Sequence, residues 1–134
     1  MMKGLDTNVL VRYLTQDHQK QARLAAKEIE GAAAKGEKLV IQPIVLCELV
    51  WVLESAYDFG KPQIVPVLDS IMRTAQFEIV DKDTVWQALN DYHKEKGDFS
   101  DYYIGRSNEK AGANVTLTFD KSLKDNKRFS LIGS

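Results

Sequence analysis

Cysteine occurs once in this chain, at Cys47, inside an apolar run. An internal disulfide and a zinc site built from several cysteines are therefore excluded, and the usage agrees with a reducing compartment. Histidine occurs twice, at His18 and His93. No serine or cysteine has a matched histidine and acid, which argues against a nucleophilic triad. His93 shares a predicted helix face with apolar residues and is expected to be packed and hydrogen-bonded. A Gly-rich phosphate loop of the P-loop kind is lacking. No apolar run approaches the roughly 18 residues that span a bilayer. The N-terminal residues lack the apolar stretch of a secretory leader, so the expectation is a soluble, cytoplasmic chain. Charge of one sign is missing too: 18 Lys and Arg stand against 19 Asp and Glu, a net charge of -1. No global field draws the chain to nucleic acid or an anionic membrane, so any nucleic-acid contact must rest on local groups.

What is present is ordinary globular composition, 44% hydrophobic and 28% charged over 134 residues. That suits one domain, 1-134, with a real core. Met2 to Leu5 reads as a short strand, Val9 to Leu14 as a helix, and Gln19 to Ala34 as a helix with Asp17 as N-cap and Gly36 as stop. Leu39 to Ile41 is a strand ended by Pro43. Ile44 to Tyr57 is a helix apolar almost all round, which predicts burial or an interface, and Gly60 ends it. Gln63 to Thr74 is a helix with Pro66 in its first turn. Phe77 to Val80 is a strand, Asp83 to Lys96 an amphipathic helix, and Ser100 to Ala111 a helix closed by Gly112. Val115 to Phe119 and Phe129 to Ile132 are the last strands. Strands alternate with helices, which predicts an α/β fold: a central, mostly parallel sheet flanked by helices on both faces. Ligands of such sheets bind beyond the carboxyl ends of the strands.

Acids fall at those ends. Asp6 follows the first strand and Asp120 follows VTLTF. Glu48 lies inside IVLCELVWVL, where a buried carboxylate without a partner is expensive. Taken alone, it pairs with a core arginine or points out at a helix edge. In GDFSDYYIG, Asp98 and Asp101 stand three apart at a helix start, where free N–H groups and the helix dipole favour a carboxylate. Capping explains one of the two. Gathered on one rim, these acids would repel, and a hard cation among them would relieve that. Mg2+ or Mn2+ prefers oxygen ligands and needs only one or two direct carboxylates.

DTNVLVRYL near the start, a glutamate in an apolar helix about forty residues later, DFSDYYIG, and TLTFD near the end resemble the PIN-domain family. Within it they are most similar to the VapC-type toxins of toxin–antitoxin pairs. The resemblance covers Met2 to about Ile132. It implies a single PIN-like nuclease domain and a metal-dependent endoribonuclease that hydrolyses RNA phosphodiester bonds. By position it implies Asp6, Glu48, Asp101 and Asp120 as the catalytic acids. Asp6 and Asp101 become the direct ligands of Mg2+ or Mn2+, and Glu48 and Asp120 complete the site or orient the attacking water. Asp98, Thr118 and Asn8 become auxiliary groups. Thr118 is two residues before Asp120 and so shares its side of a strand; Asn8 serves equally as a helix cap. The implied partners are an RNA substrate, a cognate antitoxin and a second copy of the chain.

One departure is the helix after the third acid, YYIGRSNEKAG, where many relatives are alanine-rich. Tyr102 and Tyr103 narrow a groove, stack on bases or pack in the core. Arg12, Lys20, Arg23 and Lys27 are solvated surface or contacts to an RNA backbone or partner. Trp51, Val52 and Tyr57 exceed what one core face requires, which points to a two-fold contact. Two other classes compete. A non-catalytic PIN-like module that binds RNA or protein has no need of repelling carboxylates. A receiver-like phosphoacceptor wants adjacent acids after its first strand, where Asp6 stands alone.

Overall fold

The computed structural model describes residues 2–133, which form two compact units divided after Asp81. In the first, β1 (Lys3–Gly4), β2 (Leu39–Ile41) and β3 (Phe77–Ile79) form a sheet in the order β1-β2-β3. Both pairings are parallel, with Lys3 opposite Leu39 and Leu39 opposite Phe77. Between β1 and β2 run α1 (Thr7–Thr15) and α2 (Gln19–Ala34), and between β2 and β3 run α3 (Pro43–Tyr57) and α4 (Lys61–Arg73). These crossovers carry the core. Leu10, Ile29, Ile41, Leu46, Leu49 and Ile64 are fully buried.

The second unit holds α5 (Lys82–Lys94), α6 (Phe99–Lys110), β4 (Thr116–Thr118), a 3-10 turn (Lys121–Leu123) and β5 (Phe129–Leu131). β4 and β5 pair in parallel, Thr116 opposite Phe129. Val85, Ala88, Tyr92, Phe99, Tyr102 and Leu123 are buried. Arg106 on α6 grips Asp91 on α5 with two hydrogen bonds, Nε to Oδ2 at 2.7 Å and Nη2 to Oδ1 at 2.8 Å. The described residues thus form an α/β fold with six helices and parallel strands.

Several local expectations need correction. α2 is capped by His18, whose Nδ1 accepts the Gln21 N–H at 3.2 Å, and not by Asp17. Asp17 is engaged instead by the Tyr57 hydroxyl at 2.8 Å and by Thr15. α3 is closed by Asp58 in a left-handed conformation, φ 56°, while Gly60 caps the start of α4. Pro66 sits in the interior of α4, beyond its first turn. Pro66 has no N–H to give the Pro62 carbonyl, and both residues are exposed, where that carbonyl is open to solvent. His93 is exposed, because α5 buries Val85, Leu89 and Tyr92 on its other side.

Candidate active site

The first unit places two acids on one edge of its sheet. β1 and β2 are parallel, so the chain leaves both at the same edge. Asp6 lies two residues past the end of β1 and caps α1: its Oδ1 accepts the Thr7 N–H at 2.7 Å. β2 runs through Gln42 into α3, whose first residue is Pro43, a position that suits proline because no N–H is needed there. Glu48 sits on the second turn of α3 and is exposed. Thr7 joins the two acids. It is buried, and its hydroxyl donates to Glu48 Oε1 at 2.6 Å. Of the two structural alternatives for Glu48, the exposed helix position is the observed one. Asn8 lies inside α1 and is exposed, so the cap is Asp6 and not Asn8.

The neighbouring Cys47 is no nucleophile. Burial, and secondarily the Glu48 charge, push its thiol up to about 11, so it stays protonated at neutral pH.

The second unit carries the other acids. Asp98 is the N-cap residue of α6, and its backbone N–H donates to Asp101 Oδ2 at 3.3 Å, one half of a capping box. Asp101 is half-buried. Burial pushes its carboxyl above the usual aspartate range; the Asp98 N–H pulls it down, and the charges of Asp98 and Asp120 push it further up. Asp120 is exposed and caps the 3-10 turn, its Oδ1 accepting from the Ser122 N–H at 2.9 Å and the Ser122 hydroxyl at 2.7 Å. Those bonds hold the Asp120 carboxyl below its ordinary value. Thr118 ends β4, so the alternation argument that put it beside Asp120 fails, since Asp120 is outside the strand. A direct bond replaces it: Thr118 Oγ1 accepts the Asp120 N–H at 3.0 Å. Tyr102 is buried and Tyr103 half-buried.

A PIN-domain family model matches residues 4–128. The chain is also 30% identical over 123 residues to a VapC ribonuclease of Aquifex aeolicus (strain VF5), covering 92% of this chain and 90% of that protein.

The chain belongs to the PIN-domain family.

The match runs across both units, and no solved structure matches the chain. The PIN-domain assignment agrees with the α/β fold of parallel strands. Among the described residues, no group of three or more His, Cys, Asp and Glu side chains is arranged to hold a metal ion. The acids stand as a pair in the first unit, Asp6 and Glu48 through Thr7, and as a set in the second, where Asp98 and Asp120 act on Asp101. Their donor atoms are oxygens throughout, the type that suits a hard divalent cation.

Thr7 and Ser122 are the site residues that sequence reasoning missed. Ser122 carried a local signal, an Asx-type turn two residues past an aspartate. Thr7 carried none, because its partner is 41 residues away.

Proposed function

We propose that this chain is a Mg2+- or Mn2+-dependent endoribonuclease, the toxin of a toxin–antitoxin pair, with Asp6, Glu48, Asp101 and Asp120 as its catalytic acids. The observation that carries this reading is Asp101, a half-buried carboxylate raised by burial and by two neighbouring acids, in a chain that belongs to the PIN-domain family. A cation would relieve that repulsion. The similarity to a protein named as a ribonuclease supports the choice of RNA.

In this reading Asp6 and Asp101 would be the direct ligands of the metal. The chemistry such an ion would supply is polarisation of the phosphodiester and a lowered pKa of a bound water. Glu48 has Oε1 occupied by the Thr7 hydroxyl, which leaves Oε2 to take the proton of the attacking water. Asp120, fixed by Ser122 and by the Thr118 bond to its backbone, orients that water. The water oxygen bonds to phosphorus, the phosphorus–oxygen bond to the leaving ribose breaks, and the leaving oxygen takes a proton from solvent water, while Glu48 later returns its own to solvent. Asp98, Thr118 and Asn8 assist from the rim.

The proposed partners are RNA, a second copy of the chain and a small antitoxin. The exposed indole of Trp51 on α3 serves as the apolar anchor of the homodimer. The antitoxin inserts an arginine among the carboxylates, because a guanidinium matches their geometry. No helix among the described residues is long and apolar enough to cross a membrane, and the cytoplasm is the proposed location.

Purified protein is expected to cut RNA with Mg2+ or Mn2+, and chelator is expected to stop it. Asp6→Asn and Asp101→Asn each keep shape but lose a ligand, and the rate falls by orders of magnitude. At ten times its dissociation constant the ion also stabilises the folded chain by about 1.4 kcal/mol, a rise in Tm of roughly 2–5 °C. Undiminished cutting in excess chelator would refute the metal mechanism. Binding of RNA without cutting, with either ion, would make the chain a non-catalytic PIN-like module.

A further inference from the structure

We infer that Tyr102, acting through Gly97 and Leu123, is a positioning residue that sets the spacing between Asp101 and Asp120. This rests on the reading of those acids as a metal site.

Gly97 is buried and immediately precedes Asp98, the N-cap of α6. Its N–H donates to the Tyr102 hydroxyl at 2.7 Å, a buried bond spanning five residues. The phenol thus reaches back behind the first turn of α6 and ties down the residue before the cap. Asp101 is next to Tyr102 in the chain, and its carboxylate accepts the Asp98 N–H on the same turn. The turn that presents Asp98 and Asp101 is held by these two bonds.

The same point touches the other acid. A Cβ built on Gly97 would lie 2.5 Å from Leu123 Cδ2 and 2.9 Å from the Tyr102 hydroxyl oxygen. Leu123 is fully buried and is the last residue of the 3-10 turn that Asp120 caps. The Leu123 side chain of the Asp120 turn therefore packs directly against Gly97, so closely that a side chain there would force it or the Tyr102 hydroxyl to shift. Tyr102 also meets Phe129 edge to face, ring centroids 6.4 Å apart, which fixes its ring from the side of β5. Phe129 and Leu123 hold the phenol ring and the 3-10 turn, and the Gly97 bond holds the acid-bearing turn of α6 to both. The hydroxyl is a polar link in this contact, so removing it loosens the Asp101 turn without emptying the core.

The test is Mn2+ binding by calorimetry together with the metal-free Tm, for wild type, Tyr102→Phe, Leu123→Val and a control. The control is Asn108→Ala, which removes a side-chain bond on α6 that ties it to Thr116. Tyr102→Phe keeps the ring and loses only the hydroxyl. Its Mn2+ affinity is expected to fall about tenfold or more, the scale seen when a group that orients metal ligands is removed. Asn108→Ala is expected to lower Tm comparably while binding Mn2+ as wild type does. Leu123→Val shortens the contact on the Asp120 side and is expected to weaken Mn2+ binding as well; it decides the matter if Tyr102→Phe does not fold. Wild-type affinity in a folded Tyr102→Phe, or equal losses in Tyr102→Phe and Asn108→Ala, would overturn the positioning role. A wild-type chain that binds no Mn2+ would remove the metal reading itself, and that result is read before any variant is made.

Discussion

Breaking the Asp91–Arg106 pair should unfold more of the protein's stability than any surface change. The pair is bidentate, at 2.7 and 2.8 Å, and the side chains are only 7% and 15% exposed. The hydrogen bonds to Asp91 raise the Arg106 guanidinium above its ordinary value. Asp91→Ala would leave that cation buried with one partner gone, a loss of about 3–5 kcal/mol for a buried charge stranded in this way. An exposed pair would lose only about 0–1 kcal/mol, so the burial decides the magnitude. For a chain of this length the larger figure corresponds to a drop in Tm of roughly 10–20 °C. Arg106→Met should be nearly as costly, since it strands the Asp91 carboxylate.

The double variant Asp91→Leu/Arg106→Met should behave differently. It removes both charges and fills the space, and such swaps are often neutral or stabilising. Urea denaturation followed by circular dichroism at pH 7 gives the three free energies, and the cycle gives the coupling. The reasoning is refuted if either single variant loses less than about 1 kcal/mol, the range of an exposed pair, or if the double variant loses the sum of the two singles. The pair matters for the site because Arg106 and Asp101 share α6: the grip on α5 fixes the helix whose first turn presents Asp98 and Asp101.

Two further outcomes follow from the same unit. Asp101 and Asp120 are shifted in opposite directions, so their pH signatures should oppose. A carboxyl raised in the folded state takes up its proton there first. Metal-free Asp101→Asn should therefore be more stable than wild type at neutral pH, and the gap should close as pH falls through the raised folded value. Asp120 contributes stability above its unfolded value that is lost as pH falls, so Asp120→Asn should be the less stable protein at neutral pH, with a gap that also closes in acid; chemical denaturation across pH 3–7 reads both, and an Asp101→Asn variant less stable than wild type at pH 7 contradicts the assignment. Gly105→Ala would put a Cβ 2.6 Å from the Phe129 ring. Overpacking costs about 1–3 kcal/mol against a helix-propensity gain of about 1 kcal/mol, so Tm should fall, and Phe129→Leu in the same chain should restore part of it; a higher Tm for Gly105→Ala alone would show that the ring moves freely.

The elements that were legible in the sequence are those whose signals are local. α2 falls on Gln19–Ala34 as read, because an alanine-rich run needs no distant partner to be helical. β2 falls on Leu39–Ile41, bounded by Pro43. The errors concern residues whose role is decided far along the chain. Asp17 is a better N-cap by type than His18, but its carboxylate is taken by Tyr57, 40 residues away. The 3-10 turn at Lys121–Leu123 was missed, since three residues carry no periodicity. Strand alternation puts Thr118 on the side of Asp120, yet β4 stops short of Asp120 and the Asp120 N–H instead donates to the Thr118 hydroxyl. The bonds that organise the acids, Thr7 to Glu48 and Gly97 to Tyr102, join side chains or backbone across turns that no pattern announces.

Glu48 shows how exposure decides what a carboxylate costs in an apolar helix. A carboxylate in an apolar helix is expensive only where it is buried, and of the two alternatives, a core arginine partner or an outward-facing helix edge, the structure shows the edge. α3 buries Val45, Leu46, Leu49, Val50 and Leu53 on one side, while Ile44, Glu48, Trp51 and Ser55 follow each other at helical spacing on the exposed side. Glu48 therefore needs no cation to be tolerated. The residues on that stripe that do need a reason are Ile44 and Trp51, 67% and 68% exposed. The electrostatic case for a cation passes instead to Asp101, which is half-buried and has Asp98 and Asp120 raising its carboxyl further. An asparagine there should gain stability in the metal-free chain and lose the response to the ion, and no capping role predicts both.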